Sequence, residues 1–279
     1  MSIRNTAILL AGGRGRRMES DVPKQYLDLC GRPLLYYSLR TLLESSVITD
    51  LVIVCADEDR ERIQQEVISP LLADAAKSGR TGEKRQQEMQ QKLRGFAGAG
   101  AERCGSVLSG LEAVAWPCDY VFIHDGARPF PDEETLIRLN EAVQQEGAVI
   151  AAVPSKDTIK IADENGYVAS TPDRRYVYNI QTPQVFSYEL VLKAYQLLRE
   201  KALQEGPASD WSAASLIREL GITDDAAAAE KMCDQRVKLV ESSYRNFKIT
   251  TPEDMDQAWA IAMELQEKWD ASLLQISVE

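Results

Sequence analysis

The chain has 279 residues, 44% of them hydrophobic and 27% charged, which excludes a disordered polymer and permits one large α/β domain or two modest ones. Its net charge of -11 disfavours nucleic acid as a bulk partner, although a locally basic loop can still take an anionic substrate. Cys30, Cys55, Cys104, Cys118 and Cys233 are odd in number and widely spaced, which argues against a zinc knuckle or a disulfide framework; reduced thiols in a cytoplasmic protein are expected, with no signal peptide and no membrane-length apolar run.

The apolar run Thr6-Ala7-Ile8-Leu9-Leu10 reads as a buried strand entering the loop Ala11-Gly12-Gly13-Arg14-Gly15-Arg16-Arg17-Met18, with Pro23-Lys24-Gln25-Tyr26 shortly after. Glycines let a backbone approach a ligand closely, and Arg14, Arg16, Arg17 and Lys24 supply cations. This suits a polyphosphate, while an ordinary glycine turn remains the competing reading. The loop is not a Walker motif, having no Gly-Lys-Ser/Thr, and it departs from the dinucleotide fingerprint at Arg17-Met18.

A turn at residues 28–33 precedes a helix to about residue 43, with Pro33 in its first turn and Leu34, Leu35, Leu39, Leu42 and Leu43 on one face. Residues 50–56 form a second buried strand, and residues 58–72 the next helix. This β-α-β opening predicts a parallel α/β sheet. Residues 73–99 are polar and glutamine-rich. The stretch from 83 to 93 reads as an exposed helix without a packing face, either a solvated excursion or an element that covers substrate or a partner.

Gly100 leads into a helix with Arg103 and Ser106 at its start, where free N–H groups favour an anion or a base carbonyl. Tyr120-Val121-Phe122-Ile123 is a strand ended by His124-Asp125-Gly126-Ala127-Arg128-Pro129, followed by a helix over 132–146 and a strand over 148–153. The sheet rhythm then breaks. Asn165-Gly166 between strand-forming segments signals a hairpin with too little core of its own, which asks for a partner surface. The chain returns at Thr182-Pro183-Gln184, and a helix spans 188–200. Asp224 caps an alanine-rich helix, residues 237–241 and 247–249 are short strands, and a last helix opens with Thr251 as cap and Pro252 at its first position.

His124 is the sole histidine, so histidine metal clusters are excluded, and at a strand end it reads as structural. Asp125 at the same strand end fits either a capping carboxylate or one that holds Mg²⁺ beside substrate phosphates.

The loop and Pro23-Lys24-Gln25-Tyr26, with the segments at 100–111, 124–130, 152–160, 182–186, 223–230 and 246–254, resemble the 2-C-methyl-D-erythritol 4-phosphate cytidylyltransferase family over nearly the whole chain. The resemblance implies a single nucleotidyltransferase domain over 1–279. Its fold would be Rossmann-like, with a mostly parallel central sheet and a projecting β-hairpin arm. A polar insertion is expected at about 74–97 and a homodimerisation arm at about 156–178. It implies Arg17, Lys24 and Lys248 as catalytic cations. Ala11, Gly12, Gly13, Gly15, Gly100, Arg103 and Ser106 would hold CTP, and Asp125 Mg²⁺ or another divalent cation. Asp125, Arg128, Arg174 and Thr182 would hold the polyol phosphate, Arg174 reaching from the partner subunit. No nucleic acid or membrane partner is implied. Ribitol-5-phosphate cytidylyltransferase is the nearest alternative, towards which Gly126 and Phe130 lean; a non-catalytic nucleotide-binding protein is the alternative of another class.

Overall fold

The computed structural model describes residues 3–13, 22–77, 79–204, 211–213 and 215–276. Strand β1 (Asn5–Leu10) is followed by a small ribbon, β2 (Asp28–Leu29) and β3 (Arg32–Pro33), and then by α1 (Leu34–Glu44) and β4 (Asp50–Cys55). Pro33 thus ends a strand and caps α1 from outside, rather than occupying its first turn. Helices α2 (Arg60–Ile63) and α3 (Ser69–Ala76) are joined by a π-helical turn, and α4 (Gly79–Lys92) leads into β5 (Leu93–Gly98). Next come α5 (Arg103–Glu112), β6 (Tyr120–Asp125), α6 (Glu133–Glu146) and β7 (Ala148–Pro154). The hairpin β8 (Ile161–Ala162) and β9 (Val168–Ser170) precedes β10 (Tyr178–Ser187) and α7 (Tyr188–Gln204). The chain ends with α8 (Ser215–Glu219), α9 (Asp225–Cys233), β11 (Lys238–Glu241) and α10 (Asp254–Ile276).

Seven strands form one sheet in the order β11-β7-β10-β6-β1-β4-β5, in which β10 alone runs antiparallel to its neighbours. The strands are apolar throughout because both faces are covered, and alternation divides each strand between the two sides. Ala7, Leu9, Leu51, Ile53, Phe122 and Val149 face one core, packed under α1, α6 and α10. Ile8, Val52, Val54, Val121, Ile123 and Ile150 face the other, under α5, α7 and α9. No helix among the described residues is long and apolar enough to cross a membrane.

Four expectations need correction. The end of the polar stretch is not an excursion, because residues 93–98 add the edge strand β5 to β4. Helix α4 does pack: Met89 is buried, and Lys92 donates to the carbonyls of Leu43 (2.8 Å) and Ser45 (2.7 Å) at the end of α1. Residues 247–249 are not a strand. The last helix begins at Asp254, not Pro252, and Asp254 itself takes the backbone N–H groups of Thr250 (2.7 Å) and Thr251 (2.9 Å). The helix runs to Ile276.

The arm over 156–178 projects from the sheet. Asp163 shapes its tip, its carboxylate accepting the N–H groups of Asn165 and Tyr167 (2.9 Å each), and Gly166 takes φ +85°. Tyr167 is 75% exposed, Val168 60% and Tyr176 78%, so the arm leaves an apolar surface uncovered in the single chain.

Candidate active site

The carboxyl edge of the parallel strands collects the chemistry, as open α/β sheets dictate. At the end of β1, Ala11 donates its N–H to Val54 O (2.7 Å), and its carbonyl accepts Gln25 Nε2 (2.8 Å). This pins the glycine turn between β4 and the one-turn helix Lys24–Tyr26. A Cβ on Gly12 would lie 2.5 Å from Ala99 Cβ, so only glycine lets the two turns approach. Gly15 and Arg17 lie outside the described residues, while Gly13 sits in open space. Lys24 Nζ reaches Ile249 O at 3.4 Å, which brings the lysine to the loop that carries Lys248.

The turn after β5 is equally tight. A Cβ on Gly100 would meet the Gly105 backbone at 2.7 Å, and the Gly100 N–H donates to Ser106 Oγ (3.0 Å). Gly100, Arg103 and Ser106 therefore form one unit at the start of α5.

Asp125 ends β6 and lies between two cations. Lys248 Nζ donates to its Oδ2 (2.7 Å), and Arg103 Nε to its Oδ1 (3.3 Å). Burial alone would raise this carboxyl's pKa, but Arg103 and Lys248 outweigh burial and hold it well below the usual carboxylate range. The fork of Arg103 engages a further carboxylate, NH1 and NH2 meeting Asp225 Oδ1 and Oδ2 at 2.7 Å each. Burial opposes the charge on Arg103, yet the two aspartates raise its pKa further above normal. Asp225 is fully buried, and Tyr195 Oη donates to its Oδ1 at 2.5 Å. The sequence marks Asp224 as the cap of the alanine-rich helix and says nothing of its neighbour Asp225. Asp224 does cap α9, accepting Ala227 N–H at 2.9 Å, but Asp225 belongs to this charged chain. The only trace of that in sequence is a second carboxylate at the head of an otherwise alanine-rich helix.

Thr182 enters from β10, where the register shifts between Ile180 and Gln184. Its Oγ accepts the Asp125 N–H (3.0 Å) and lies 3.1 Å from His124 Nδ1, while His124 Nε2 lies 2.9 Å from Arg128 O. A carbonyl only accepts, so Nε2 carries the proton and Nδ1 accepts from Thr182. His124 is thus a neutral brace, and burial lowers its pKa to about 4. The depressed value gives stability that is present above pH 6.5 and lost as pH falls from 6.5 through 4, where the unfolded chain takes the proton first. That contribution is up to about 3 kcal/mol. At pH 5.5 the ¹⁵N shifts of the single imidazole in the folded protein should report the neutral Nε2–H tautomer; an imidazolium spectrum would contradict the brace.

Arg128 donates to Asn246 O (2.9 Å) and Ile180 O (3.1 Å), tying the β6 turn to β10 and to the Lys248 loop. Arg174 is not brought to the site of its own chain: it is exposed in the arm, 3.3 Å from Lys156 O. Gly126 and Phe130 answer to packing. A Cβ on Gly126 would lie 2.8 Å from Leu10 O, and Phe130 is buried against Tyr37 and Phe247.

Among the described residues no group of three or more His, Cys, Asp or Glu side chains gathers to hold a metal ion. Asp125 offers one buried carboxylate at the strand edge. That donor set suits a hard cation whose remaining ligands are phosphate oxygens and water, and does not suit a protein-caged metal.

The model of the family described as 2-C-methyl-D-erythritol 4-phosphate cytidylyltransferase matches residues 5–264. Relatives bearing that name include one from Lachnospira eligens, 39% identical over 91% of this chain and 97% of its own. Another, from Lachnoclostridium phytofermentans, is 38% identical over 94% of this chain and 97% of its own. A solved 4-diphosphocytidyl-2C-methyl-D-erythritol synthase from Anaerococcus prevotii superposes with a TM-score of 0.70 at 31% identity, covering 94% of this chain and 96% of that one.

Proposed function

Since the chain belongs to the 2-C-methyl-D-erythritol 4-phosphate cytidylyltransferase family, we propose that it transfers the cytidylyl group of CTP to 2-C-methyl-D-erythritol 4-phosphate. The products are 4-diphosphocytidyl-2-C-methyl-D-erythritol and pyrophosphate. The observation that carries this reading is the meeting of Lys24, Lys248, Arg103 and Asp125 with two tight glycine turns at one sheet edge.

The reaction joins a phosphate monoester oxygen to the α-phosphorus of CTP and breaks the bond to the β-phosphate bridge, whose electron pair leaves with pyrophosphate. The monoester's second pKa is about 6, so the nucleophile is already an anion and no protein nucleophile is required. The task of the chain is electrostatic, since anion meets anion and charge accumulates on phosphate oxygens. Lys24 and Arg17 would stabilise the α-phosphate as that charge builds. Lys248, already on Asp125, is placed for the acceptor phosphate. The glycines of the turns at Ala11, Gly12 and Gly13 and at Gly100 would let the backbone approach the nucleotide closely, Ser106 orders the second turn, and Arg103 and Ser106 would take the base and its sugar. Thr182 and Arg128 border the acceptor side. Asp125 would hold Mg²⁺, which supplies charge neutralisation on the triphosphate.

The exposed apolar arm supports a homodimer in which Arg174 of one protomer serves the other's acceptor site. Absence of a membrane-length helix among the described residues and the free thiols are compatible with a cytoplasmic location. Initial rates with CTP and Mg²⁺ test the assignment. A kcat/KM for methylerythritol 4-phosphate well above that for D-ribitol 5-phosphate is expected; the reverse order would reassign the acceptor.

A further inference from the structure

We propose that Asp225, supported by Tyr195, is a positioning residue for the transfer: by occupying the guanidinium fork of Arg103 it keeps Arg103 from closing on Asp125. The inference rests on the activity proposed above and adds a residue that does not touch the reacting groups.

Two carboxylates compete for one guanidinium. Paired N–H groups facing both carboxylate oxygens are the strongest arrangement available to arginine, and Asp225 has it, at 2.7 Å and 2.7 Å. Asp125 receives only the single Nε contact, at 3.3 Å. The outcome follows from how each acid is held. Asp225 is fully buried in the first turn of α9 and is fixed by the Tyr195 hydroxyl from α7. Through Asp225 and Tyr195, Arg103 is therefore held from two helices, α9 and α7. Asp125 keeps one oxygen shared with Lys248 and one only loosely engaged. An arginine released from Asp225 finds Asp125 as the nearest carboxylate, already in contact through Nε. Rotation of the fork onto it would close both Asp125 oxygens to phosphate-borne cations.

Asp225→Asn keeps the shape and removes the charge. It should lower kcat about tenfold to a hundredfold, the usual effect of removing the group that orients a functional residue. Tyr195→Phe should give a smaller loss in the same direction, and serves if Asp225→Asn does not fold. The discriminating pair is Arg103→Ala with and without Asp225→Asn. If Asp225 acts through Arg103, the double variant should match Arg103→Ala in kcat to within about twofold. It should also melt above Arg103→Ala, because a buried carboxylate stripped of its cation is costly and the amide relieves it. A folded Asp225→Asn protein with the parent kcat would overturn the proposal. So would a folded double variant about tenfold slower than Arg103→Ala. The melting comparison needs no substrate, so it still reports on the pair if the parent protein fails to turn over CTP with methylerythritol 4-phosphate. That failure would remove the functional reading instead.

Discussion

Lys24→Ala should lower kcat about a hundredfold, roughly 3 kcal/mol of transition-state stabilisation, while CTP affinity measured by calorimetry changes far less. The lysine follows Pro23 in a one-turn helix, and its neighbour Gln25 is tied to the glycine turn through Ala11 O. Its ammonium reaches a carbonyl, Ile249 O, at 3.4 Å, in the loop that carries Lys248. Its charge is worth most when negative charge accumulates on the α-phosphate. Collapse of CTP affinity with normal kcat at saturation would make Lys24 a ground-state anchor and contradict the mechanism.

Cutting residues 160–168 to a short turn should shift the protein towards monomer and abolish most activity together. The two short strands of the arm have no core beneath them, and an isolated hairpin is marginal in water. Tyr167, Val168 and Tyr176 spend their apolar surface on solvent in the single chain, and in the proposed homodimer a second copy would cover it. Arg174 stands at the base of the same arm, away from its own chain's Asp125. The cut should leave CTP binding intact, because Ala11, Gly100 and Ser106 sit on other elements. Light scattering and turnover on the same samples check this. A fully active monomer at micromolar concentration would remove both the clasp and the shared role of Arg174.

The buried parallel strands and their helices are legible in sequence because their patterns are local. Residues 6–10, 50–55 and 120–123 are apolar runs that need no context, and Asp224 announces a helix by capping chemistry. Strand β5 escapes because Leu93–Gly98 contains two glycines and an arginine, and an edge position asks less of its residues than a central one. The segment 247–249 misleads in the other direction: Ile249 is buried like a strand residue, but it packs from a loop. For the site, the family resemblance names candidate residues but not their pairings. Asp125 with Lys248 and Arg103 with Asp225 are separated by more than a hundred residues, and no local spacing encodes which acid takes which base.

The reversed direction of β10 has a consequence for how such a protein can change over generations. Because β10 runs back between β6 and β7, the arm leaves the sheet from the end of β7 and re-enters beside it, with Tyr178 paired to Pro154. The excursion is topologically closed at its root, so it can lengthen, shorten or alter its sequence without re-threading any strand. That root lies on the same sheet edge as Asp125, and three residues of β10 beyond Asn179 bring the chain to Thr182. The arm is therefore anchored next to the residues that gather around Asp125, and the short stretch from 178 to 182 joins the two.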